Sequence, residues 1–197
     1  MGTSRPQVPD IELIKRVQRG DREAFEPLVE RYQRRVFSLV FHLVRRRDEV
    51  EDIAQEIFVK AFRGIRSYNF QASFGTWLAR IAVNHCYDYL RRERKAKLTY
   101  YWQLGEESSR AIEGHAQSAS DGALNTEQET EVRDLAEQLL GRAPAEDRTI
   151  LTLKELEDHS VEEIAEIMKL RPNTVKVRLH RARKRMLEDW KRWQQGR

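Results

Sequence analysis

Six cations, Lys176, Arg178, Arg181, Arg183, Lys184 and Arg185, lie close together near the C-terminus, and no acid interrupts them before Glu188. Such a strip suits a polyanion. Duplex DNA rewards it with closely spaced phosphates, and an arginine on the outward face of a groove-entering helix can bridge guanine O6 and N7. Val175, Leu179, Ala182 and Met186 recur at helical spacing on the other side, so the same helix has an apolar face to seat it. Enzymatic chemistry finds little support. There is no glycine-rich phosphate loop, His42, His85, His115, His159 and His180 are scattered without ligand spacing, and no nucleophile sits in an arginine cluster. No catalytic residue, metal site or cofactor is expected.

The cationic helix needs an element to hold it against DNA. Ser160 and Glu163 have capping-box spacing ahead of Val161, Ile164, Ala165 and Met168, and Lys169 to Pro172 form a tight connection into a helix from about Asn173 to Leu187. Two short amphipathic helices around a tight turn outline a helix-turn-helix. Upstream, Thr126 and Glu129 form another capping-box pattern before Val132, Leu135, Ala136 and Leu139, and Pro144 opens a helix with Ile150, Leu151, Leu153 and Leu156.

The N-terminal half is also helical. Ala24, Phe25, Leu28, Val29, Tyr32, Val36, Leu39, Val40 and Leu43 mark one face of a long helix, with Asp21 as cap and a late start or bend at Pro27. After Arg45 to Arg47 a second helix turns Val50, Ile53, Ala54, Ile57 and Ala61 inward and Asp52, Gln55, Glu56 and Lys60 outward, ending near Gly64. Residues 67–75 read as a loop before a third helix from about Thr76 to Lys95. No two-residue alternation is long enough for a sheet, so the chain is expected to be all-α.

Its 197 residues, 35% of them charged, favour two small helical domains over one large core. Between residues 98 and 131 seven acids face Arg110 alone, with few aliphatic residues, so the expectation is a flexible N-terminus at 1–10, domains at 11–97 and 130–193, and an acidic linker at 98–129. Tyr100, Tyr101 and Trp102 are apolar exceptions at its start. A single cysteine, Cys86, supports neither a disulfide framework nor a cysteine zinc site. Phe37 to Val44 is too short to span a bilayer and no signal-peptide core is evident, so a cytoplasmic protein without membrane insertion is expected.

Several runs then occur in a telling order. Val50-Glu51-Asp52-Ile53-Ala54-Gln55-Glu56-Ile57-Phe58-Val59-Lys60-Ala61-Phe62, Phe74-Gly75-Thr76-Trp77-Leu78-Ala79-Arg80-Ile81-Ala82-Val83-Asn84 and Asp88-Tyr89-Leu90-Arg91-Arg92 resemble conserved region 2 of the extracytoplasmic-function sigma factors, within the sigma-70 family. Glu162-Glu163-Ile164-Ala165 and Asn173-Thr174-Val175-Lys176-Val177-Arg178-Leu179-His180-Arg181-Ala182-Arg183 resemble region 4 of the same family. The resemblance covers about residues 11 to 96 and 130 to 190.

The resemblance implies a dissociable subunit of bacterial RNA polymerase that selects promoters and helps open them, not an enzyme. Asp52, Gln55, Glu56 and Phe58 would dock on the β′ clamp helices, the alternative being a solvated face with Phe58 in the core; region 4 would meet the β flap. Asn69, Phe70, Gln71, Ala72 and Ser73 would hold a base extruded from the −10 element, where new contacts offset unstacking. Arg80, Asn84 and Asp88 would face promoter DNA, Arg91 and Arg92 its phosphates, while Phe74 and Trp77 pack inside. Lys176, Val177, His180 and Arg181 would read the −35 element, with Thr174, Arg178 and Arg183 nearer the backbone and Lys184 on the same cationic face. Asn173 and Val177 depart from the glycine and serine frequent there, and Val177 would favour a thymine methyl. The linker would thread the polymerase cleft or act as a plain tether. An anti-sigma factor is expected as a partner, able to hold the protein at the membrane. A stand-alone helix-turn-helix regulator would explain residues 160–187 equally well, but not Asp52 to Phe58 or Asn69 to Arg92.

Overall fold

The computed structural model describes residues 8–104, 135 and 137–195. Pro9 stands at the N-cap of α1 (Asp10–Gln18), whose acids Asp10 and Glu12 fall in the first turn and whose cations Lys15 and Arg16 fall in the last, matching the helix dipole. Leu13, Ile14 and Val17 are buried. This short helix was not among the elements expected, and it begins inside the segment expected to be flexible.

A 3-10 turn, Glu23–Phe25, leads into α2 (Glu26–Val44), with Pro27 in the first turn, where its missing N–H costs nothing. Asp21 accepts the Ala24 N–H at 3.3 Å, so it does cap this entry. Arg45 ends α2 in the left-handed region, and α3 (Val50–Gly64) follows a 3-10 turn. α4 spans Phe74–Leu104. It starts earlier than Thr76 and passes Lys95 because no breaker intervenes before Gly105; the backbone of Tyr100 to Trp102 therefore continues this helix rather than opening a linker. The remaining acidic stretch lies outside the described residues, together with Thr126, Glu129, Val132 and Ala136.

Leu135 and Leu139 are buried, and residues 137–142 are helical. α5 (Ala145–Leu151) has Pro144 at its N-cap and runs into one π turn, Thr152–Leu156. That turn leaves Leu156 exposed rather than inward. In α6 (Val161–Met168) the capping box is present: Glu163 N–H donates to Ser160 Oγ at 3.1 Å and Ser160 N–H to Glu163 Oε2 at 2.8 Å. Lys169, left-handed at φ 54°, makes the tight turn into α7 (Pro172–Gln195). No strand occurs among the described residues, and no helix among them is long and apolar enough to cross a membrane.

The two helical units pack together. The Tyr87 hydroxyl donates to Thr149 Oγ1 at 2.9 Å, Arg148 reaches the Leu43 carbonyl, and Arg35 lies 3.7 Å from buried Glu157. A small cleft between α2, α4 and the turn at 157–159 is lined by Tyr32, Arg35, Leu78, Glu157 and His159. The sequence carried no sign of this contact.

Four buried groups report on the interior. Burial pushes the Cys86 thiol up to about 12, so it stays protonated and unreactive at neutral pH. His85 lies between Lys60 Nζ at 2.6 Å and Glu56 Oε2 at 2.9 Å; burial, then the Lys60 charge, pulls it below its ordinary 6.5. His159, facing Arg35 and Glu163, is lowered chiefly by burial. These two depressed histidines contribute stability that is present above about pH 6.5 and lost as pH falls from there through their lowered folded values. Glu157, raised by burial, acts oppositely in the acid range. The melting temperature of the wild type should therefore fall more between about pH 7.5 and pH 5.5 than that of a His85→Gln, His159→Gln variant. Parallel profiles would contradict these assignments.

Candidate nucleic-acid interfaces

The segment between α3 and α4 is a built loop. Ser67 Oγ donates to the Gly64 carbonyl at 2.8 Å, Tyr68 Oη to the Ala72 carbonyl at 2.6 Å, and the Gln71 N–H to Asn69 Oδ1 at 3.3 Å. Ser73 Oγ accepts the Thr76 N–H at 3.0 Å, so this hydroxyl, expected to face DNA, is already engaged at the start of α4. Beneath the loop runs a chain of rings: Tyr32 on Phe74 at 5.2 Å, Phe74 on Trp77 at 5.6 Å, Trp77 on Tyr68 at 5.2 Å and Tyr68 on Phe70 at 4.8 Å. Phe74, Trp77 and Tyr68 are buried, whereas Phe70 is 38% exposed in the left-handed region at φ 60°. Asn69, Gln71 and Ser73 thus form an exposed polar rim around the presented Phe70 ring, a surface able to hold an unstacked base.

Asn84, Asp88, Arg91 and Arg92 continue along the exposed side of α4, with Arg91 3.5 Å from Asp88. Arg80 does not stand open. Its guanidinium is 3.4 Å from Glu166 of α6, and the neighbouring Thr76 hydroxyl donates to Glu163 at 2.7 Å. Burial opposes the Glu163 charge, but hydrogen bonds from Ser160 and Thr76 hold its carboxyl below the ordinary value. Two carboxylates of the second unit therefore occupy the start of the face expected to meet promoter DNA.

On α3, Asp52, Gln55 and Glu56 are exposed together. Phe58 is not with them: at 9% exposure it lies in the core, one helical step from Ala54 and Ala61, which is where those inward positions put it. The exposed apolar residue beside the polar trio is Val59, at 47%, which the reading from sequence passed over.

α7 divides as its spacing predicts. Val175, Leu179 and Ala182 are buried with Met186 partly so, and Lys176, Val177, His180, Arg181 and Lys184 are exposed. Its cations divide by partner, with Lys184 set 4.0 Å from Glu188 on the same helix. Arg178 pairs with Glu146, Arg183 with Glu155 at 2.6 Å and Arg185 with Asp147 at 2.9 Å, all acids of α5 and its π turn. Lys176, His180 and Arg181 have no partner among the described residues, and Thr174 is half-buried at the helix start. Among the described residues no three His, Cys, Asp or Glu side chains gather as for a metal ion.

Comparison with known proteins gives this arrangement its context. The family model for Sigma-70 region 2 matches residues 28–96, and that for Sigma-70 region 4 matches residues 133–186. The chain is 34% identical over 172 residues to the ECF RNA polymerase sigma factor SigW of Bacillus subtilis, covering 86% of this chain and 90% of the relative. It is 38% identical over 181 residues to the ECF RNA polymerase sigma-E factor of Escherichia coli K12, covering 90% and 92%. In fold it is similar to CnrH solved with the cytosolic domain of CnrY, at TM-score 0.66 and 18% identity over 92% of this chain and 97% of that one. It is likewise similar to the sigma factor RpoE of Bartonella quintana solved with the anti-sigma factor NepR, at TM-score 0.65 and 24% identity over 85% and 96%. With both conserved regions matched in order and relatives aligned along nearly their whole length, the chain belongs to the extracytoplasmic-function sigma factors of the sigma-70 family.

Proposed function

We propose that this sigma factor binds core RNA polymerase through the exposed Asp52, Gln55 and Glu56 of α3, reads a −10 element with the 69–73 loop and α4, and reads a −35 element with α7. The observation that carries this reading is the division of α7: acids of α5 and its π turn hold three of its cations, while Lys176, Val177, His180 and Arg181 are exposed, without a polar partner among the described residues, and positioned to enter a groove. The loop assists strand opening by holding an extruded base. The chain itself performs no chemistry; that belongs to the polymerase. It works in the cytoplasm, and an anti-sigma factor is its second protein partner, a reading supported by the fold shared with the sigma factor RpoE, solved with the anti-sigma factor NepR.

The packed arrangement has to open for this function. Elements about 25 base pairs apart are separated by about 85 Å of duplex. The two faces lie on units joined by the 2.7 Å contact of Thr76 with Glu163, and Arg80 cannot hold a phosphate while it holds Glu166. Thirty residues between Leu104 and Leu135 can reach at most about 100 Å, enough for the separation.

Co-elution with bacterial core polymerase on a sizing column tests the reading. The wild type should co-elute, and an Asp52→Ala, Gln55→Ala variant of native helicity should do so less. Duplex binding without polymerase, and no co-elution, would make the protein a stand-alone regulator. In the holoenzyme, Arg181→Ala should weaken −35-dependent binding by about 1–3 kcal/mol and relax preference at one base position. An equal loss on every sequence would make Arg181 a phosphate contact instead.

A further inference from the structure

The most N-terminal helix remains without a role, yet it is fastened at both ends. Asp10 accepts from Tyr32 Oη at 2.5 Å and pairs with Arg31 of α2. At the other end, Gln18 Nε2 donates to two carbonyls, Ile65 O and Tyr68 O, both at 2.9 Å. Those carbonyls flank the turn that delivers the backbone into the 69–73 loop. A single half-buried amide therefore fixes the height and direction of the loop's entry, immediately before Phe70 takes up its left-handed conformation.

Lys15 lies one turn earlier on the same side of α1. Its ammonium is 6.0 Å from the centroid of the exposed Phe70 ring, at the outer reach of a cation–π contact. Ile11, Lys15 and Gln18 follow helical spacing, so α1 presents one face along the loop, with Ile11 57% exposed beside the cation. An aromatic ring with a mobile cation over it is a combination that suits single-stranded nucleic acid: the ring takes a base face and the cation, swung aside on its flexible stem, takes the adjoining phosphate.

We infer that α1 completes the base-capture site. Lys15 contacts the backbone phosphate next to the extruded nucleotide, and Gln18 is a positioning residue that holds the loop so that Phe70 and Asn69 can meet the base. This inference rests on the reading of the 69–73 loop as the −10 reader.

The test uses the full chain bound to core polymerase, with core polymerase alone as background. Its probe is a short single-stranded DNA recovered by selection from a random pool with the wild-type holoenzyme. Lys15→Ala should weaken its binding severalfold, lower the slope of log affinity against log salt by about 0.7, and leave base preference unchanged. Lys15→Arg should restore both values. Gln18→Ala should retain the salt slope but flatten preference at the extruded position, with polymerase co-elution preserved. Because Lys15 is exposed, its variants test the inference even if Gln18→Ala fails to fold. Wild-type affinity and salt slope in Lys15→Ala would overturn the inference. Asn69→Ala and Phe70→Ala separate the two levels: if they lose binding while Lys15→Ala does not, α1 alone is excluded; if they too bind normally, the −10 reading of the loop falls with it.

Discussion

The burial of α4 is the constraint on which the rest of the molecule depends. Phe74, Trp77, Leu78, Ala82, Val83 and Cys86 enter the core against α2 and α3, which fixes the rotation of the helix about its axis. With that rotation fixed, Arg80, Asn84, Asp88 and Arg91 form an outward stripe with no freedom to face elsewhere. The same helix orders the aromatic chain under the loop and supplies Thr76 and Arg80 to the second unit. Truncating a buried side chain here would cost about 2–5 kcal/mol, and would misplace three surfaces at once.

Charge is apportioned between holding the fold and meeting a partner. Glu146, Asp147 and Glu155 neutralise half of the six-cation strip and seat α7 alongside α5, and Glu188 lies 4.0 Å from Lys184, so Lys176 and Arg181 are the cations of the strip left most open to exchange counterions with DNA. Exposed pairs of this kind add little stability each, at most about 1 kcal/mol. Their effect is directional: they keep the outward residues of α7 from folding back onto its own unit. Glu163 and Glu166 do the converse on α4, where carboxylates stand against groups suited to phosphate.

How much of this could be read from sequence follows from how local each signal is. The helices α2, α3, α6 and α7 were legible because their apolar residues repeat every three or four positions, and the Ser160–Glu163 box because capping is a three-residue affair. α1 carried the same kind of signal in Leu13, Ile14 and Val17, but over so few turns that it was passed over. Phe58 shows a resemblance overriding geometry: Ala54 and Ala61 already placed it inward. The end of α4 is obscured in the sequence because the acids from Glu106 onward dominate the composition of the whole 98–131 stretch, although nothing before Gly105 breaks a helix. The packing of the two units left no trace at all, since Thr76 and Glu163 are separated by 87 positions and no periodicity links them.

The central claim is that two separate faces of one chain, the 69–73 loop with α4 and the outward side of α7, read two DNA elements once polymerase holds the chain. Selection of promoter fragments from a randomised duplex library by the reconstituted holoenzyme tests it most directly. The account predicts two recovered motifs at a fixed separation, with the upstream motif alone changing when Val177 and Arg181 are substituted and the downstream motif alone changing when Asn69 is. Recovery of a single motif, or of the same motif without polymerase, would contradict it.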